Sequence, residues 1–255
     1  MIFLLEKIRK ICKSLGKKEE TINDLIIFNK FKKNTENYKI DFKRFNPKLD
    51  TKNRIKIVAV ISFFFNKNKI HNLNKVCLSL NKISKSTEIN IITNNISNKD
   101  YQKIKKNIKT KVNIIIIKQA LHDRLLPWYH YELMRKSFKK KNTTHFIYLE
   151  DDILINKENF NYWINSRKYL KKLNLIPGFL RTEKYKNNKD LYAIDYIKKK
   201  RINSIPTIPV NKDLSFLNTK YPYQGMYLYD RELMKEHLHG PSSNPDCGHG
   251  AFDTN

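Results

Sequence analysis

Glycine is scarce in this chain, with six among 255 residues, and none falls in a GxGxxG or GxxxxGK[ST] pattern. Both patterns use glycine to bring backbone N–H groups against phosphate, so a dinucleotide-binding or P-loop site is not expected. Cysteine is scarcer still: Cys12, Cys77 and Cys247 are widely separated and show no pair spacing. That excludes a disulfide framework or zinc finger and predicts a reducing, cytoplasmic setting. No apolar run approaches the roughly 20 residues of a spanning helix, and Ile2 to Leu5 is too short and lacks the basic flank of a secretory signal. Acid is the remaining deficit. Asp and Glu number 24 against 51 Lys and Arg, for a formal charge of +27 and a pI near 9.9.

Such a balance points to nucleic acid, anionic lipid or a phosphorylated substrate. Lys, Asn and Ile are abundant everywhere, however, as an AT-rich coding sequence produces without selection for binding. The Lys and Tyr residues form no recognisable nucleic-acid module, so no specific nucleic-acid partner is expected. A non-enzymatic basic RNA-binding protein stays open as the contrasting class.

What is present is a run of short isoleucine-rich segments alternating with helical spacing. Residues 55–64 read as a central strand, 72–82 as a helix, 89–93 as a strand, 101–108 as a helix and 112–117 as a strand. This β-α-β-α-β order predicts a parallel, doubly wound α/β sheet with right-handed crossovers. Pro127 suits the first turn of a further helix, with Trp128, Tyr131 and Arg135 on one face. Residues 145–149 are the next strand and 156–173 the helix after it. Pro177-Gly178 marks a turn, 179–183 a short strand, 192–196 and 226–229 further strands, 204–223 a long loop with edge segments, and 231–238 a last helix.

The domain is expected to run from 55 to 255, its donor-nucleotide half 55–155 and its acceptor half 156–255. It follows an extension, 1–54, that opens with an amphipathic helix over 1–18. That helix has Leu4, Ile8 and Leu15 on one face and a rim of lysines, which suits docking on the domain or peripheral contact with an anionic membrane.

The most pointed stretch is Tyr148-Leu149-Glu150-Asp151-Asp152. Three consecutive carboxylates follow a buried-type strand in a chain otherwise poor in acid. In open α/β sheets ligands bind beyond the carboxyl ends of the strands, and a hard divalent cation gives such a cluster a purpose. The plain alternative is that Asp151 or Asp152 caps the following helix. Arg124, just before the Pro127 helix, is a candidate for phosphate or base contact, and His122 and His130 are candidates for contact with ligand.

Here a resemblance becomes specific. Leu126-Pro127-Trp128-Tyr129-His130, then Phe146 to Asp152, Asn161-Tyr162-Trp163, Ile176 to Glu183 and Tyr221-Pro222-Tyr223-Gln224-Gly225-Met226 together resemble GT-A-type glycosyltransferases. The resemblance implies a GT-A-like, Rossmann-type, mostly parallel sheet flanked by helices, and a metal-dependent transfer of sugar from a nucleotide-sugar donor to a glycan or lipid-linked acceptor. Glu150-Asp151-Asp152 stands where that family carries D-x-D, so Glu150 and Asp152 are the candidate ligands for Mn or Mg. A late histidine often joins them in the family, which makes His249 a third candidate. Ser62, Arg124, Asp151, Gln224 and Gly225 are the donor-binding candidates, with Gly225 allowing close backbone approach to a sugar. An inverting reaction needs a general base on the acceptor hydroxyl, for which Glu183 and Asp253 are candidates. The runner-up enzyme is a nucleotidyltransferase using the same carboxylates. The chain ends at Asn255 without a closing helix, which suggests truncation relative to related proteins, with activity at risk.

Overall fold

The computed structural model describes residues 55–118, 120, 125–184, 191–193, 207–209, 215–217 and 225–240. The amphipathic helix and extension expected over 1–54 lie outside them, as do Arg124, Gln224, His249 and Asp253. The described residues divide into two compact units, 55–165 with 225–240, and 166–217.

The first unit is built on a five-stranded sheet. Its strands are β1 (Ile57–Phe63), β2 (Thr87–Asn94), β3 (Asn113–Ile117), β4 (His145–Glu150) and β9 (Met226–Asp230), in the spatial order β3-β2-β1-β4-β9. β1 to β4 are mutually parallel and β9 runs antiparallel along the outer edge of β4. The mostly parallel α/β sheet read from the sequence is therefore present, in the 3-2-1-4 order of Rossmann-type folds. β1 is buried along its whole length, as a strand covered on both faces must be.

Helices α1 (Ile70–Ile83) and α2 (Asn98–Asn107) follow β1 and β2. α1 buries Leu73, Val76, Cys77 and Leu80 at helical spacing, and burial pushes the Cys77 thiol up to about 12, leaving it chemically inert. Helix α3 (His130–Lys139) connects β3 to β4 and packs beside α5 (Arg231–His239) on one face. Pro127 lies not in α3 itself but in a 3-10 turn, Leu126–Tyr129, that runs directly into it. On the opposite face His145 meets the rings of Phe160 and Trp163 in α4 (Lys157–Leu170).

Two clips set the register on which the site depends. Thr144 exchanges bonds with Lys56, its Oγ1 accepting from the Lys56 N–H at 3.0 Å and donating to the Lys56 carbonyl at 2.9 Å. This places Ser62 of β1 opposite Glu150 of β4. Arg231 donates to the carbonyls of Phe138, Thr143 and Lys140 at 2.7, 2.9 and 3.1 Å, tying the start of α5 to the α3-to-β4 connection.

The second unit continues α4 into a 3-10 turn, Lys171–Leu173, closed by Asn174 at φ 56°. Asparagine tolerates this left-handed conformation better than most side chains. Two short antiparallel hairpins follow, β5 (Thr182–Lys184) with β6 (Leu191–Ala193) and β7 (Thr207–Pro209) with β8 (Ser215–Leu217). The strand expected over 179–183 begins three residues later. The edge segments expected within 204–223 are the β7-β8 hairpin, with Pro209 at the end of its strand, where it interrupts little pairing.

Candidate functional site

The parallel strands present their carboxyl ends along one edge, and the strand order reverses between β1 and β4. That junction is where open α/β sheets take ligands. Ser62, the penultimate residue of β1, is buried there beside Glu150, the last residue of β4. On the other side of β4 the Glu150 N–H donates to the Gly225 carbonyl at 3.0 Å. Three residues singled out in the sequence, Ser62 of β1, Glu150 of β4 and Gly225 just before β9, thus meet at one end of three adjacent strands.

The chain turns immediately afterwards. Ile153 N–H donates to the Glu150 carbonyl at 3.3 Å, so Asp151 and Asp152 occupy the centre of a turn. Asp151 is 8% exposed, while half of the Asp152 side chain is open to solvent. By strand alternation, Glu150 and Ser62 face the α3 side, as do Tyr148 and Val60 in its core. Asp151 turns toward α1. There Lys69, the residue just before α1, brings Nζ to 3.9 Å from Asp151 and 3.5 Å from Asp152.

Asp151 Oδ2 is buried and accepts no hydrogen bond among the described residues. Burial pushes its carboxyl up to about 6; Lys69 opposes that rise, while Asp152 and Glu150 add to it. A carboxylate so placed calls for more positive charge than one half-exposed lysine supplies. Among the described residues no three His, Cys, Asp or Glu side chains converge as a metal-binding group. The donor set nevertheless fits Mn or Mg bound together with a phosphorylated substrate, because such cations use one or two carboxylates and complete their shell with phosphate oxygens and water.

The acids do not cap α4. Asn156 does, its Oδ1 accepting from the Asn159 N–H at 2.8 Å while Asn159 Oδ1 accepts from the Asn156 N–H at 3.0 Å. With both ends of this reciprocal cap made by asparagine, the helix leaves Asp151 and Asp152 without that duty.

Lys69 was not among the residues singled out from sequence. Its signal is positional: Asn66-Lys67-Asn68-Lys69 joins the central strand to the first helix, where phosphate-binding folds carry glycines. The loop is held by Asn66 Oδ1, which accepts from the Asn68 N–H at 2.9 Å, and by Asn94 Oδ1, which accepts from the Phe65 N–H at 2.7 Å. His130, a candidate for ligand contact, is instead 4% exposed within the core. Trp128 is half-buried against Tyr131. Glu183 lies in β5 of the second unit, with its side chain outside the described residues. Among the described residues no helix is long and apolar enough to cross a membrane.

No protein-family model matches the chain, and no curated protein matches it in sequence. Solved structures do match. The mannosyltransferase PcManGT from Pyrobaculum calidifontis, in complex with GDP-Man and Mn2+, shares 8% identity over 64% of this chain and 44% of its own, with a TM-score of 0.40. S. aureus TarS shares 12% identity over 72% of this chain and 30% of its own, with a TM-score of 0.37. A 4-diphosphocytidyl-2C-methyl-D-erythritol synthase from Anaerococcus prevotii DSM 20548 shares 14% over 73% and 76%, with a TM-score of 0.37. The chain spans less than half of the mannosyltransferase and less than a third of TarS. Superpositions this loose carry neither a role nor a residue assignment to the present chain.

Proposed function

We propose that the protein is a metal-dependent glycosyltransferase that moves a sugar from a nucleotide-diphosphate donor to a glycan acceptor. One observation carries the reading: three carboxylates share the turn at the sheet's switch point, with the Asp151 oxygen buried, lacking a hydrogen-bond donor among the described residues, and a lysine alongside. In this reading Glu150 and Asp152 hold Mn or Mg, with His249 as a further ligand. A cation held there would supply charge stabilisation to the leaving diphosphate. Asp151 orients the turn and meets the donor's ribose. Ser62 of β1 and Gly225, just before β9, line the donor on either side of Glu150, and Arg124 and Gln224 complete its contacts. Lys69 exchanges its carboxylate partners for phosphate oxygen once the donor is bound, adding charge where diphosphate departs.

On the acceptor side Glu183 or Asp253 takes the proton from the attacking hydroxyl if configuration inverts. The basic surface suits a polyanionic or membrane-associated glycan, with residues 1–18 in peripheral contact with an anionic membrane at its inner face.

Incubation with a panel of nucleotide sugars tests the proposal. Release of nucleoside diphosphate that requires a divalent cation, and that falls roughly a hundredfold or more in Asp152→Ala, is the expected result, since several kcal/mol of charge stabilisation would be lost. Pyrophosphate released from nucleoside triphosphates in the presence of sugar phosphates, with no turnover of nucleotide sugars, would identify a nucleotidyltransferase. Salt-dependent RNA binding that survives Asp152→Ala, with no turnover of any donor, would overturn the enzymatic reading altogether.

A further inference from the structure

We propose that the groove between α1 and α2 is a binding site for a linear, phosphate-rich polyanion without aromatic bases. The groove has a volume of about 390 Å³ and is lined by Lys67, Lys75, Lys103 and Lys109, with His71 and Asn74 between them and no carboxylate. Lys67 has Asp100 at 4.0 Å. Lys75, Lys103 and Lys109 have no ion-pair partner among the described residues. Elsewhere in the same unit Lys140 meets Glu88 at 3.5 Å and Lys69 meets Asp152 at 3.5 Å, while other lysines such as Lys82, Lys85 and Lys136 show no ion pair among the described residues, so the groove is set apart by the convergence of its lysines and not by their lack of partners.

A lysine-rich composition alone scatters ammonium groups over the surface. Gathering four around one concavity costs mutual repulsion, which a bound anion relieves, and the low-dielectric walls focus the field upon it.

The walls are fixed. Lys109 N–H donates to Asn74 Oδ1 at 2.9 Å, pinning the segment after α2 to α1, and Asn107 Nδ2 donates to the Lys103 carbonyl at 2.8 Å. Ile70 and Leu73 on α1 and Ile104 on α2 are buried and hold the helices in place. The lining also selects the ligand class. Single-stranded nucleic acid is gripped by bases stacking on aromatic side chains, and no Phe, Tyr or Trp lines this groove. A membrane surface takes an apolar face inserted beside the charges, whereas Ile70, in the groove floor, is 4% exposed. Four lysines with polar spacers suit repeated phosphates on a flexible, non-aromatic backbone. The assignment holds whatever reaction the carboxylates perform.

Labelled inorganic polyphosphate, titrated onto the full chain and followed by anisotropy across a salt series, tests it. The variant K75Q/K103Q/K109Q is compared with K82Q/K85Q/K136Q, which removes equal charge elsewhere. The groove variant is expected to lose at least about tenfold in affinity and to flatten the salt dependence by about two to three ions. The control should stay close to the parent. Should the groove triple melt at a lower temperature, the single variants each read out about two- to threefold losses in its place. Equal losses in both triples would overturn the site, as would no binding by the parent chain. Tighter binding of single-stranded RNA or of anionic vesicles through the same three lysines would overturn the ligand class.

Discussion

On the α1 side of β4, Asp151 is buried beside a lysine. On the α3 side, His130 is buried among tyrosines. His130 lies 4.3 Å from Tyr148 in a stacked pair and 4.1 Å from Tyr131, with Tyr227 at 5.4 Å, and His237 joins the same group from α5. Its Nδ1 is hydrogen-bonded to the Pro127 carbonyl, and burial pushes its pKa down to about 3, so it remains neutral. Burial likewise lowers His237 to about 4 and raises the Tyr227 hydroxyl well above its usual range. A neutral imidazole solves its burial by stacking and shedding charge. A carboxylate in a triplet cannot do so at neutral pH, and its demand for a cation remains. That contrast separates the acidic turn at the end of β4 from the aromatic packing along its α3 face, although both carry polar, titratable residues.

The largest expected effect sets the two sides against each other in pH. His130, His145 and His237 have folded pKa values of about 3, 4 and 4 against an ordinary 6.5. Their contribution to stability is full above 6.5 and is lost as pH falls toward those values, because the unfolded chain takes up protons first. Asp151, raised from 3.8 to about 6, runs the other way. Its contribution is full below 3.8 and is lost as pH rises through about 6. Melting temperature should therefore fall as pH drops from 6.5 to 4, three histidines outweighing one aspartate, and should fall more steeply in Asp151→Asn. A flat profile, or one unchanged by that substitution, would break the contrast.

A smaller effect tests whether the acids are free of helix duty. Asn156→Ala should cost about 1 kcal/mol in chemical denaturation, the usual worth of an N-cap, and Asp152→Asn should cost much less. The reverse ranking would return the triplet to a capping role. Smallest of all is Tyr227→Phe. The Tyr227 hydroxyl is buried with no hydrogen-bond partner among the described residues. Removing it should leave stability within roughly 0.5 kcal/mol of the parent or raise it slightly; a large loss would mean that the hydroxyl is engaged.

The sheet was legible because its strands are apolar runs of fitting length and its helices carry apolar residues at regular spacing, as in Leu73, Val76 and Leu80. β4 was legible for the same reason, and with it the position of Glu150, Asp151 and Asp152 at the strand's exit. The antiparallel direction of β9 was not, since a period-2 pattern is the same read either way. Asn156, the first residue of the expected helix, turned out to be its cap, where Asp152 and Asp151, four and five residues earlier, competed for the role. Lys69 was hidden by composition, for one lysine among so many carries no signal until the fold brings it to two aspartates. His130 misled because a histidine beside a strand end resembles a ligand contact, and only packing shows it enclosed by tyrosines.

The central claim is that the Asp151–Asp152 turn exists to receive a cation and a diphosphate together. A thermal-shift panel of nucleoside diphosphates, with and without manganese, measures this directly, because a ligand present at a hundred times its Kd adds about 2.7 kcal/mol of stability. The account predicts that one nucleoside diphosphate raises the melting temperature by several degrees only when manganese is present, and that Asp152→Ala abolishes the rise. No shift with any of them, or a shift that persists unchanged in Asp152→Ala, would contradict it.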